Sequence, residues 1–304
     1  MMRPCPMPAE GAPIVPAADA CRRHDPESRY ATMTETDPAL HTPRRPTLSI
    51  VIPARNEEGF LADCLDAIAM QTDPPEEVIV VDNGSWDGTP LIARAYPFVT
   101  LLSEPTPGIV PARNKGLNAA TGDVLCRIDA DSIIDPDWVR AVRTHFAAIG
   151  APCVHGVSGP GEAVIDGLPW LGRLLGMVVL EFCYYPVSAL MAGGPVLVGC
   201  NMAITRETWL AIRDNAHPDH RQVHEDLDLS VLIHRAGGSI EHLPRMRIRT
   251  RRVQFETPRK LWWRLRIWPN AVRRHQCPRS WRNRTGWAKR HPSALLPASW
   301  RSRA

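Results

Sequence analysis

Val124-Leu125-Cys126-Arg127-Ile128-Asp129-Ala130-Asp131 is the stretch that decides how the rest of the chain is read. Its first five residues, mostly apolar, predict a buried strand. Two carboxylates follow at the end of that strand. On an extended chain Asp-x-Asp points both side chains the same way, two residues apart, with only Ala130 between them. Two hard oxygen ligands so placed suit a divalent ion bridged to phosphate oxygens. The same residues also suit a solvated turn with helix-capping acids, which is the reading given to Asp135 and Asp137 just beyond.

The pattern repeats upstream. Leu48-Ser49-Ile50-Val51-Ile52 and Val78-Ile79-Val80-Val81 are apolar runs of strand type, and Val99–Leu102 is a third candidate. Phe60, Leu61, Cys64, Leu65 and Ile68 recur at helical spacing, with Asn56 as the expected cap. A short helix is expected near 90–95 and a longer one over 110–120. Strands alternating with helices predict an α/β fold with a mostly parallel central sheet flanked by helices. Ligands of such sheets lie beyond the carboxyl ends of the strands. Three polar clusters fall at those ends: Arg55-Asn56-Glu57, Asp82-Asn83-Gly84 and Asp129-Ala130-Asp131.

Downstream, residues 168–192 are strongly apolar but are interrupted by Arg173, Glu181 and Pro186, so a core or interfacial helix is expected rather than a membrane span. After Gly199-Cys200-Asn201 a helix is expected near 206–213. His224-Glu225-Asp226 opens another, carrying Leu227, Val231 and Leu232 and closed by Gly237-Gly238. No internal repeat is visible.

The composition is that of a globular protein, 44% hydrophobic and 22% charged, but the charge is polarised. From Arg245 to Ala304 there are 18 Lys/Arg against one acid, which leaves residues 1–244 at −13 out of a net +4. Six of the ten tryptophans lie in that basic segment, where Lys260, Trp262, Trp263, Arg264, Arg266 and Trp268 interleave cations with indoles. Such a segment suits an anionic membrane surface. Nucleic-acid binding is the competing use, and no nucleic-acid motif accompanies it. Residues 1–46, rich in proline and alanine, are expected to be a disordered leader, with Met33 as a candidate start. Pro13, Pro16 and Asp19 break the best candidate for a signal peptide. The eight cysteines form no C-x-x-C pair, Cys64 and Cys126 fall in apolar patterns, and a reducing, cytoplasmic setting is expected. Three parts follow: the leader 1–46, a globular domain 47–244 and a basic extension 245–304.

Five motifs succeed one another in order. They are Val51-Ile52-Pro53-Ala54-Arg55-Asn56-Glu57, Val80-Val81-Asp82-Asn83-Gly84-Ser85, Ala112-Arg113-Asn114-Lys115-Gly116, Gly122-Asp123 with Asp129-Ala130-Asp131, and Glu225-Asp226. Over roughly 47–240 this series resembles the family 2 glycosyltransferases of the GT-A (Rossmann-like) fold. The resemblance implies a metal-dependent, inverting transfer of a sugar from a nucleoside-diphosphate sugar to an acceptor hydroxyl, with Mn2+ or Mg2+ as cofactor. It implies that the loop Pro53, Ala54, Arg55, Glu57 meets the nucleoside and that Asp82, with Asn83 and Gly84, meets the base. It places Arg113 near base and phosphates, Asp129 at the ribose or the metal, and Asp131 on the metal. Asp226, with Glu225, would be the general base, and Gly199 and Asn201 would line the acceptor side.

Each of these residues also has a structural reading. Arg113 suits a surface ion pair, Glu57 a first-turn acid, and Glu225-Asp226 a helix N-terminal pair favoured by the dipole. No Q-x-x-R-W motif follows Asp226, as processive relatives would have; Gln254 is followed by Phe255, Glu256 and Thr257. A single transfer is therefore expected, onto a glycan, lipid or small molecule, with a lipid or glycan of the cell envelope as a candidate. Arg249-Thr250-Arg251-Arg252 is either a late basic loop at the donor phosphates or a solvated strand. His217, His220, His224, His234 and His242 show no spacing that singles out a ligand. Two alternatives are a nucleotidylyltransferase, which would want a glycine-rich loop where Pro53–Glu57 stand, and a non-catalytic nucleotide-sugar-binding or membrane-recruitment module.

Overall fold

The structure is a computed structural model that describes residues 45–149, 154–163, 185–219, 221–250, 266–267 and 270. Nearly all of the leader, most of the apolar stretch 168–192, His220 and nearly all of the chain from 251 onward lie outside the described residues. The strands are β1 (Leu48–Ala54), β2 (Glu77–Asp82), β3 (Val99–Ser103), β4 (Val124–Ile128), β5 (Ser132–Ile134), β6 (His155–Ser158), β7 (Gly161–Ala163), β8 (Asn201–Thr205), β9 (Ser239–His242) and β10 (Ile248–Thr250). The helices are α1 (Leu61–Ala69), α2 (Thr89–Ala95), α3 (Ile109–Ala119), α4 (Trp138–Ile149), α5 (Tyr185–Ala192), α6 (Arg206–Ile212) and α7 (Glu225–Arg235).

Seven strands form one sheet in the order β3-β2-β1-β4-β8-β6-β9. The four strands β3, β2, β1 and β4 are parallel, and β8 is inserted antiparallel between β4 and β6. Every residue of β1 and β4 is buried, as expected of central strands covered on both faces. The period of two sorts their side chains. Leu48, Ile50, Ile52 and Ala54 pack on one face with Leu61, Cys64, Leu65 and Ile68 of α1 and with Trp138, Val139 and Val142 of α4. Val51, Ile79 and Val81 face the other way, against α3, α6 and α7. Cys64 and Cys126 are buried thiols, and burial pushes both up, so they serve as packing. Among the described residues no helix is long and apolar enough to cross a membrane.

A second, three-stranded sheet, β5-β10-β7, sits past the end of β4. Its strands are three residues each, and β10 lies beyond position 244, so the packed sheets use residues of the basic extension. Asn201 joins the two sheets. It opens β8 opposite Ile128, its Oδ1 accepts from Trp138 Nε1 (3.0 Å), and its Nδ2 donates to the carbonyls of Met246 (2.7 Å) and Pro160 (3.3 Å). Gly159 lies at the same junction, and a Cβ there would overlap the Met246 carbonyl oxygen.

Because that neighbour is backbone, it has no rotamer by which to move aside. Gly159→Ala is therefore expected to lower stability by about 1–3 kcal/mol or more, read as a lower urea midpoint. An unchanged midpoint would show that the two sheets are not packed this closely.

Candidate active site

The carboxyl ends of β1, β2 and β4 and the start of β8 lie at one edge of the large sheet. Pro53 and Ala54 close β1 and are buried. Asn56 then takes a positive φ of 57°. It does not cap α1, whose N-cap is Phe60; its Oδ1 instead accepts from Trp86 N (3.0 Å). Asn and Asp tolerate the left-handed region, where they make turns, and this turn holds the β1 loop against the β2 loop. Arg55 is exposed over the Trp86 ring, 5.9 Å from its centroid. Glu57 is half-buried, and its backbone N–H donates to Thr89 Oγ1 (2.8 Å).

At the end of β2, Asp82 is largely buried and its Oδ1 accepts from Ser85 N (3.1 Å) across Gly84, which has φ 71°. Asn83 faces inward. Its Nδ2 donates to the carbonyls of Glu104 (2.8 Å) and Thr106 (2.7 Å), and its Oδ1 accepts from Gly108 N (2.7 Å). Its amide therefore shapes the loop that leads into α3. Asp123 lies at the opposite edge, where its carboxylate accepts from the N–H and hydroxyl of Thr47.

The charged centre is built from three elements. Arg113 on α3 and Arg127 on β4 are 1% and 3% exposed, and both guanidiniums pair with Glu225 at the start of α7. Arg127 Nη2 also bonds Asp129 Oδ1 (2.8 Å), while Arg113 donates to Asn114 Oδ1. Burial pushes Glu225 up, but the guanidiniums of Arg127 and Arg113 outweigh it and hold the carboxyl below its ordinary range. Glu225 was expected beside Asp226 as a base, yet both of its oxygens are engaged by cations. Arg113, expected near base and phosphates, is buried and paired with Glu225. Asn201, expected on the acceptor side, has no exposed surface and its amide is committed to the sheet junction.

Asp226 is placed differently. It is half-buried, its Oδ1 accepts from Leu227 N (2.8 Å), and its Oδ2 accepts from Gly199 N (3.3 Å). A Cβ at Gly199 would stand 2.5 Å from Arg127 Nη1 and 3.1 Å from Glu225 Oε1, so a side chain there would have to displace that ion pair.

Asp129 and Asp131 are half-buried at the same edge. Asp129 Oδ1 takes Arg127, and Asp131 Oδ2 accepts from Thr250 Oγ1 (3.0 Å). Among the described residues the second oxygen of each has no hydrogen-bond partner, so each can still serve a hard cation. Burial pushes the Asp129 carboxyl up, Arg127 opposes it, and the Asp131 charge raises it again. The net direction is upward, moderated by water because 39% of the side chain is exposed. Two like charges with outward oxygens fit a divalent ion.

The model of glycosyl transferase family 2 matches residues 49–207, more than half of the 304 residues. This chain belongs to glycosyl transferase family 2. Relatives of this chain include Glycosyltransferase AglE of Haloferax volcanii, 34% identical over 118 residues, which are 36% of this chain and 39% of that one. Chondroitin synthase of Pasteurella multocida is 31% identical over 139 residues, 43% of this chain and 14% of that one. The matches thus span less than half the length of either relative. Among solved structures, the mannosyltransferase PcManGT of Pyrobaculum calidifontis in complex with GDP-Man and Mn2+ superposes with TM-score 0.51 at 21% identity, covering 83% of this chain and 77% of that one. GalNAc-T7 with UDP, GalNAc and Mn2+ gives 0.54 at 16% identity, covering 76% and 48%. At such identities the likeness shows the fold, which is GT-A.

Sequence reasoning missed Arg127. It stands as the one charged residue of an otherwise apolar strand, and a lone cation in a buried run requires a buried partner. That was the available signal.

Removing Arg127 leaves Arg113 alone with Glu225 and strips Asp129 of its cation. Arg127→Met is expected to destabilise the protein by about 3–5 kcal/mol, the usual cost of breaking a buried pair, measured by chemical denaturation. A loss below about 1 kcal/mol would mean that the pair is exposed to water.

Proposed function

We propose that this glycosyltransferase moves one sugar from a nucleoside-diphosphate sugar to an acceptor hydroxyl with inversion, using Mn2+ or Mg2+. The observation that carries this reading is the meeting, at one sheet edge, of Asp82, the Asp129–Asp131 pair and the Asp226 end of α7. The neighbours solved with GDP-Man and Mn2+ and with UDP and Mn2+ support it.

Asp131, with Asp129, would hold the ion, which supplies positive charge to the departing diphosphate. Asp82 and the turn Pro53–Glu57 would border the nucleoside. Asp226 would take the acceptor hydroxyl proton. Glu225 and Arg127 are read as positioning residues that set Asp226 and Asp129 in place. Asn201 acts one layer further out, through the sheet junction.

Asp131→Ala is expected to abolish metal-dependent binding of nucleoside diphosphate, read by thermal shift with and without manganese. Asp226→Asn is expected to keep that binding while losing about 10²–10⁴-fold in transfer rate. Transfer at the native rate by Asp226→Asn would refute the base assignment.

The acceptor is read as a lipid or cell-envelope glycan at the cytoplasmic face of a membrane, on the strength of the Trp-rich basic segment 257–304. The full chain is expected to float with anionic vesicles, and a version lacking 257–304 is not. Equal flotation of both would remove the membrane from the proposal.

A further inference from the structure

His145, His155 and Glu241 lie together at the other edge of the seven-stranded sheet, and none of them takes part in the chemistry above. β6 is antiparallel to β8, as β4 is, so β6 and β4 run the same way. Asp129 follows the end of β4, whereas His155 begins β6 beside Ser239, the first residue of β9. The cluster is therefore remote from the crevice.

Three elements supply it: α4 gives His145, β6 gives His155 and β9 gives Glu241. Their ligand atoms all lie within 4.8 Å of one another. The two Nε2 atoms are 3.0 Å apart, with ring centroids 5.2 Å apart and planes 26° from parallel. His155 is 2% exposed, and its Nδ1 lies 2.8 Å from Ser239 Oγ. With the Nδ1 proton donated to that hydroxyl, the ring lone pair sits on Nε2, facing His145. An outer partner of this kind commonly orients a metal-bound histidine.

We infer that His145, His155 and Glu241 form a second metal site, of zinc type, which clips α4 to β6 and to β9 at the end of the sheet. Zn–N bonds of about 2.0–2.1 Å in a tetrahedron put two imidazole nitrogens about 3.3 Å apart, close to the spacing present. Glu241 is exposed and His145 half-buried, so both can settle onto an ion by side-chain rotation. Two imidazoles and one carboxylate leave the fourth position for water. Imidazole favours zinc, copper or nickel, whereas the all-carboxylate pair Asp129–Asp131 favours magnesium or manganese. The two sites therefore differ in the metal they select.

The test is a zinc chloride titration of the full chain against a chromophoric chelator, with His145→Gln and Glu241→Gln alongside. Wild type is expected to bind one zinc, and each variant to lose about 10–100-fold or more in affinity. Cobalt(II) added to wild type gives a second readout that needs no variant. Intense tetrahedral visible bands without thiolate charge transfer are expected here, since an oxygen-ligated octahedral ion at Asp129–Asp131 absorbs only weakly. Equal zinc affinity in wild type and both variants, absence of the tetrahedral bands, or bands with thiolate character would overturn the site. The histidine pair would then be an N–H···N hydrogen bond and nothing more.

Discussion

Glu225 between two buried guanidiniums is the interaction on which the crevice depends. Arg113, Arg127, Glu225 and Asp129 together form a neutral group of two cations and two anions. A guanidinium taken out of water costs several kcal/mol unless a carboxylate meets it. Helix α3, strand β4 and helix α7 must therefore converge where the charges can pair. The convergence brings the N-terminus of α7 to the sheet edge, and with it Asp226 against the Gly199 N–H. Gly199 is small because the Arg127–Glu225 pair fills the space where a side chain would lie.

A second constraint is polar but uncharged. Asn201 engages Trp138 and the carbonyls of Pro160 and Met246, so the three-residue strands of the small sheet are held to the large one. That sheet carries Thr250, whose hydroxyl reaches Asp131. The orientation of the candidate metal ligand thus depends on a residue more than a hundred positions further along the chain. Asn83 does similar work at the β2 end, where its amide fixes the loop before α3.

These two constraints also bear on the proposed chemistry. The buried cations lie behind the acids and are neutralised by them. Asp82, Asp131 and Asp226 stand at the same sheet edge outside that neutral group. An anionic donor would meet carboxylates there, and this is the physical ground for a divalent ion in the proposed reaction.

Much of this was written in the local pattern. β1, β2 and β4 are apolar runs bounded by turn chemistry, and α1, α3 and α7 show helical spacing; local periodicity alone predicts them. The polar clusters at the strand ends followed from the same reading. β5, β7 and β10 did not, because three residues cannot display a period and their pairing joins segments far apart in the chain. The roles of Asn83, Asn201, Arg113 and Glu225 were hidden for a related reason. A polar residue on paper has no direction, and only the packed fold decides whether it meets solvent, a ligand or a buried partner. By itself the sequence determined the α/β order, the family and the positions of the acids, since those reside in local spacing and composition. Only the tertiary structure decided which acids face the crevice and which are held by arginines, because burying a charge requires its counter-charge to arrive from elsewhere in the chain.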